Sequence, residues 1–396
     1  MFLTTIVSVI SANFFIFVKK MNFKDLLIPS NLFFMFVIVF LVTSFSLSRI
    51  RKISSKLGHY DTPNDRSSHN DFVPTLGGVS FFISLVVFFF FSNFYNINDT
   101  SLSILLAITI MFFVGLSDDL KDLSPKVKFL GQVLALSVLV IQSDYRILSF
   151  HGFLGIYELN MFFSVSISMF LILAFINAFN LIDGIDGMSS ITGIVISACF
   201  GFLFYKLQLF FFMFISFALI SMLLAFLRYN FSSRKKIFMG DTGSLVIGLV
   251  LGLLTLKLLT LEFETFTLLS IHRNELPFLL LIILIVPAFD LCRVTFIRFK
   301  KRVSIFSPDR NHIHHLLTDS GLYHKKASLL SGFTNLFFAV AMYLSIQYLG
   351  LLYSFLFLIV FILACFTLFF SITNNRENLR KKVKLRHILQ NIANFF

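Results

Sequence analysis

Two adjacent carboxylates, Asp118 and Asp119, stand where a long apolar run ends, and Lys121, Lys126 and Lys128 follow within SDDLKDLSPKVKFLGQ, residues 117–132. Carboxylate oxygens ligate hard cations and ammonium groups bind phosphate, so the combination suits chemistry on a metal-bound phosphate. An isolated pair of aspartates is usually a solvated loop. At the end of an apolar run the balance moves toward function, because an acid beside lipid is costly.

Four further clusters have a similar setting. NAFNLIDGIDGMSS, residues 177–190, spaces Asn177, Asn180, Asp183 and Asp186 three apart, which lines them on one polar face of a helix or turn. Its Asp-Gly pattern is not a calcium loop, since the closing Glu of the EF-hand is missing. FMGDTGSLVIG, residues 238–248, sets Asp241 between Gly240 and Thr242, either as a helix N-cap or where a helix N-terminus receives phosphate or a metal-phosphate complex. SPDRNHIHHLL, residues 307–317, carries Arg310, His312, His314 and His315. No Cys lies near it and the other clusters offer hard oxygen donors, so phosphate recognition is favoured over zinc, with at least one His structural. DTPNDRSSHNDFVPTLGG, residues 61–78, contains Arg66, His69, Pro74, Gly77 and Gly78 and reads equally as a turn-rich connection.

The elements that must position these groups are set by composition. Of 396 residues, 57% are apolar and 13% charged, with mean hydropathy +0.88. Such a chain cannot give an aqueous domain its polar coat, and lipid must be the solvent for most of its surface. The expected class is all-α: a polytopic integral membrane protein of about eleven transmembrane helices, near 31–48, 76–95, 101–117, 129–143, 161–179, 190–206, 208–227, 242–261, 276–297, 328–349 and 351–373. Alternating them puts Arg51, Lys52, Lys56, Lys121, Lys126, Lys128, Arg234 to Lys236, Lys300 to Arg302 and the run from Arg376 to Arg386 on one side, which the positive-inside rule makes cytoplasmic. All five polar clusters fall on that side. The net charge of +13 is therefore topological, and no nucleic-acid partner is expected. The 57 Phe with no Trp leave Tyr to mark the interface and are read as compositional drift.

Cys199, Cys292 and Cys365 lie singly inside apolar stretches and indicate neither disulfide nor zinc. Residues 1–20 are read as an extension or extra segment, with Met21 favoured as the natural start. Residues 21–373 form the membrane domain, and residues 374–396 form a basic tail that lies on the membrane or in solvent. No inverted repeat of the transporter kind is visible.

Taken together and in order, the five motifs resemble the polyprenyl-phosphate N-acetylhexosamine-1-phosphate transferase family over residues 49–327, and the HIHH sequence at 312–315 is similar to its WecA/TagO-type branch. The resemblance implies a cytosolic active-site cleft and transfer of a sugar 1-phosphate from a UDP-sugar, by default UDP-N-acetylglucosamine, to undecaprenyl phosphate, with release of UMP. It implies Mg2+, with Mn2+ as the alternative, held by Asn180 and Asp241, and Asp118 and Asp119 as an essential pair beside the lipid phosphate and metal. Lys128 and Arg310 would contact diphosphate, Asp183 and Asp186 would belong to the nucleotide-sugar region, and His312, His314 and His315 would line the sugar-phosphate side. Asn177, Arg66 and His69 complete the substrate-binding expectation. Partners are then the two substrates and the lipid bilayer, with a homodimer allowed. Single displacement is favoured over a covalent aspartyl intermediate. The rivals are a transporter with cytoplasmic acidic sites, an intramembrane aspartyl protease and a non-catalytic scaffold; the transporter is the strongest.

Overall fold

Apolar runs of this length satisfy their backbone hydrogen bonds internally only as helices, and the computed structural model is a helical bundle. It describes residues 29–61, 72–92, 99–141, 145–150, 155–261, 269, 271, 273–304, 311–367 and 371. The expected N-terminal extension, the basic tail, Arg66, His69 and Arg310 lie outside the described residues.

In chain order the helices are α1 (Pro29–Leu57), α2 (Gly78–Ser92), α3 (Asp99–Lys121), α4 (Pro125–Val140), α5 (Met161–Leu181), α6 (Met188–Lys206), α7 (Phe210–Asn230) and α8 (Gly240–Thr260). They are followed by α9 (Leu276–Ile283), α10 (Ile285–Lys300), α11 (Ile313–Asp319), α12 (His324–Leu349) and α13 (Leu351–Thr367). A two-residue antiparallel pair joins β1 (Tyr60–Asp61) to β2 (Val73–Pro74). Local starts follow the usual chemistry. Asn160 Oδ1 accepts the Phe163 N–H at 3.0 Å to cap α5, and α4 opens on Pro125, whose missing N–H is no loss at a first helical position.

Helix α8 is the post around which the rest is built. It packs against α2, α3 and α5, and almost all of its residues are buried. Its start is approached closely on two sides. Gly115 of α3 faces the α8 backbone so closely that a Cβ there would lie 2.6 Å from Thr242 Cα, and Gly78 of α2 abuts Gly243 backbone to backbone. The Gly77 and Gly78 amides donate to the Phe238 and Met239 carbonyls at 3.0 and 2.8 Å, and the Phe238 amide returns to the Pro74 carbonyl at 2.9 Å. The end of the 61–78 motif is thereby laid against the 238–248 motif.

Every predicted span coincides with one helix or, at 276–297, with two, and the count of eleven crossings is not confirmed. Among the described residues seven helices are long and apolar enough to cross a membrane, or eight if α9 and α10 form one span. Helices α2 and α13 are apolar but short, and α4 has 16 residues, below the roughly 20 needed for about 30 Å of hydrocarbon. The predicted span at 276–297 is broken by a 74° bend between α9 and α10. Pro287 explains the break, because it cannot donate to the carbonyl four residues back. That carbonyl, of Ile283, accepts instead from Asn335 Nδ2 of α12 at 3.2 Å, and Asn335 is fully buried.

Candidate active site

The end of α3 delivers its two carboxylates to different tasks. Successive residues of a helix point about 100° apart. Asp118 turns toward the loop into α4, where Oδ1 accepts the Leu123 N–H at 2.8 Å and Oδ2 meets Lys128 Nζ at 3.0 Å. Asp119 turns onto α8. Its carboxylate accepts the Asp241 N–H at 2.7 Å, the Thr242 N–H at 2.9 Å and the Thr242 hydroxyl at 2.5 Å. The orphan amides and positive dipole end of α8 are therefore matched by a carboxylate from another helix. Asp241 lies in the first turn instead of at the N-cap, and the anion slot at the helix start holds Asp119 instead of a phosphate.

Lys128, on the first turn of α4, reaches across to Asp241 Oδ2 as well, so its ammonium bridges the carboxylates of α3 and α8. Asn180, at the end of α5, donates to Asp241 Oδ1 at 2.8 Å and to Ser244 Oγ at 2.7 Å. Asn177, one turn earlier on the same helix, meets Gln132 at 3.0 Å and the Leu173 carbonyl at 2.8 Å. It does not line the cavity described next and makes a helix-to-helix hydrogen bond.

A cavity of about 540 Å³ opens beside these groups at the ends of α3, α5 and α8. Asp118, Asp119, Asn180, Asp183, Asp186, Asp241, His314 and His315 line it, and Tyr60 and Asp61 of β1, with His59 before it and Thr75 beside β2, form another part of the wall. Asp183 accepts from Ser189 Oγ at 2.5 Å. Burial pushes its carboxyl up to about 7, the Ser189 hydroxyl opposes this, and the negative charges of Asp241, Asp119 and Asp186 add to the rise. Asp186 goes the other way. Burial would raise it, but His324 and Lys236 outweigh that and hold it below the usual carboxylate range; Lys236 Nζ stands at 2.7 Å and His324 Nδ1 at 3.4 Å. Asp186 thus ties the α5–α6 turn to the α7–α8 loop and to the start of α12.

The histidines divide likewise. The His314 ring lies directly over Gly184, where a Cβ would strike it, and burial chiefly, with the neighbouring His315 next, holds it down to about 3, so it is a neutral imidazole. His312 does not line the cavity. Its Nδ1 pairs at 2.8 Å with Asp290 of α10, a residue the sequence reading passed over together with its neighbour Arg293. The available signal was two charges inside an otherwise apolar span. Lys236 is visible in the sequence only through the charge pattern, and Ser244 and His324 carry no distinguishing signal there.

The wall carries more carboxylates than cations, and its carboxylate and amide oxygens are hard donors of the type that suits magnesium or manganese, with the imidazoles of His314 and His315 beside them. Among the described residues no three carboxylate, imidazole or thiol groups stand close enough together to hold an ion, and the Lys128 ammonium lies between Asp118 and Asp241.

Residues 101–259, which hold Asp118 through Asp241, match the family described as glycosyl transferase family 4. The chain is 32% identical over 297 residues to the undecaprenyl-phosphate alpha-N-acetylglucosaminyl 1-phosphate transferase of Salmonella typhi, covering 74% of this chain and 78% of that one. The chain belongs to glycosyl transferase family 4. Transferases of the same name from Escherichia coli (strain K12) and Yersinia pestis are 31% identical over 301 residues and 30% identical over 299, covering 74% of this chain in both cases and 78% and 79% of theirs. As a family 4 member the protein is an all-α membrane transferase.

Proposed function

We propose that this protein transfers an N-acetylamino sugar 1-phosphate from a UDP-sugar to undecaprenyl phosphate, giving a lipid diphosphate sugar and UMP. The reaction takes place on the cytosolic face of a bacterial cytoplasmic membrane and initiates a cell-envelope polysaccharide. One observation carries the reading: Asp118, Asn180 and Asp241, from three helices, line one polar cavity at the ends of apolar spans, and Lys128 of a fourth helix bridges Asp118 and Asp241. The names of the relatives make UDP-N-acetylglucosamine the default donor. The transporter reading has little support beside these relatives, and acids gathered at helix ends do not suit a mid-membrane pathway.

A site for this reaction must offset the charge of three phosphate groups and hold attacking and leaving oxygens in line. Bound magnesium, with manganese as the alternative, would neutralise diphosphate charge at Asn180 and Asp241. Lys128, released from Asp118 and Asp241 as substrates enter, is placed to turn its ammonium to a phosphate oxygen. The acceptor phosphate has a second pKa near 6 and is already largely dianionic at neutral pH, so Asp118 serves to position it or to take a residual proton. Asp183, whose carboxyl burial holds well above the usual range, and the neutral His314 present hydrogen-bonding groups to the donor side.

The test uses membranes containing the protein, undecaprenyl phosphate, magnesium and a panel of radiolabelled UDP-sugars. Label passes into lipid from one N-acetylamino sugar nucleotide, and Asp118→Asn and Asp241→Asn each reduce this by orders of magnitude while still inserting. Flux of substrate across a liposome with no lipid-linked product would overturn the reading. Exchange of UMP into UDP-sugar without the lipid acceptor would replace single displacement by a covalent intermediate.

A further inference from the structure

Asp290 and Arg293 lie one turn apart in the middle of α10, and they are only 1% and 5% exposed. A buried ion pair gives little net stability over a well-packed apolar pair. What this pair supplies is placement. Asp290 Oδ2 receives His312 Nδ1 at 2.8 Å, and Oδ1 receives the Ile313 N–H at 2.8 Å. Arg293 stands 3.4 Å from Asp290 Oδ1 and donates to the Asn311 carbonyl. One turn of α10 therefore grips three consecutive residues, 311 to 313, through one side chain and two backbone groups.

The next two residues are His314 and His315, both in the cavity wall. The His312 ring lies parallel to that of His314, 6° apart with centroids 5.7 Å from one another, and His314 in turn rests on Gly184. A carboxylate at Nδ1 fixes both the orientation of the His312 ring and the nitrogen that carries its proton. A displacement at Asp290 would thus shift His312 and the 311–313 backbone, and with them the imidazoles that line the cavity.

We propose that Asp290 and Arg293 are positioning residues of the transfer reaction: they touch no substrate, and they set His314 and His315 against the cavity through His312 and the 311–313 backbone. The inference rests on the transferase reading above.

The test compares kcat and KM for both substrates in purified full-length wild type, D290N, D290E, H314Q and the double variant D290N/H314Q, with D241N as control and melting temperature measured for each. A misplacement of about 1 Å away from the chemistry lowers turnover by as much as about 10²-fold. D290N is expected to lose kcat on that scale with the KM for undecaprenyl phosphate unchanged, and D290E to recover part of it. The double variant is expected to be no slower than H314Q alone. Multiplying defects in the double variant, or a D290N enzyme with wild-type kcat, overturns the proposal while D241N remains inactive and the transferase reading stands. No product from wild type, or full activity of D241N, overturns both. Should D290N fail to accumulate, R293K is read in the same way, since it retains the buried positive charge and loses the guanidinium fork that holds Asn311.

Discussion

Asp119 and Asp118 are neighbours in the chain and perform separate tasks, and single substitutions should separate them. Asp119→Ala leaves two amides and one hydroxyl of the α8 start without their carboxylate. The expected cost is about 1–3 kcal/mol, seen as a lower melting temperature in detergent, with activity falling because Asp241 moves with the helix start. Asp118→Asn keeps the acceptor for Leu123 and shows the reverse balance, a small change in melting and a large loss of product.

Two other residues give opposite pH signatures. Asp183 is held up to about 7 in the folded chain against 3.8 as its ordinary value. The native state therefore binds more protons between those limits, and this contribution to stability is complete below about 4 and lost as pH rises through about 7. His314 is held down to about 3 from 6.5, so its contribution is present above 6.5 and lost as pH falls toward 3. Asp183→Asn should flatten the decline in melting temperature toward pH 7, and His314→Gln should flatten the decline on the acid side. A pH profile unaltered by either change would show that neither group is perturbed.

At the scale of the element, the site depends on how closely α3 and α2 approach the start of α8. Gly115→Ala would force a methyl group against backbone that cannot yield, so α3 must move off α8 and carry Asp118 and Asp119 with it. Overpacking of this kind costs about 1–3 kcal/mol, and we expect thermal unfolding and transferase activity to fall together. Much of this level was legible in the sequence. Five polar clusters beside apolar runs stood out because charges next to lipid need a reason, and the helices around them followed from apolar length. What each cluster touches was not legible. Asn177 and Asn180 share one face of α5, but one turn of depth gives the first to Gln132 and the second to Asp241. Asp290 and Arg293 were concealed because two charges are diluted in an apolar window, and their partners lie some 20 residues further along the chain. Pro287 did mark the break between α9 and α10, but the reading of 276–297 as one continuous span gave it no weight.

For the whole molecule, the proposed function and the positive-inside bias of the loops predict that the cavity faces the cytosol. In a chain whose three native cysteines are replaced by alanine, Ser233→Cys in the α7–α8 loop should react with a membrane-impermeant maleimide only after permeabilisation, and Tyr157→Cys should react in intact cells. Both parent side chains are exposed. Equal labelling of the two would invert or abolish the assigned topology.

Where Gly78 meets Gly243 and Gly115 meets Thr242, backbone lies against backbone with no side chain between to yield. If a bilayer thickens or thins, helices answer by tilting, and these three are expected to tilt as one block. Distances among the residues they carry should then stay constant, with the slack taken up at the elbow between α9 and α10. Turnover measured in phosphatidylcholines of increasing acyl length should accordingly stay level over several carbons, where a site shared between loosely packed helices would show a sharp optimum.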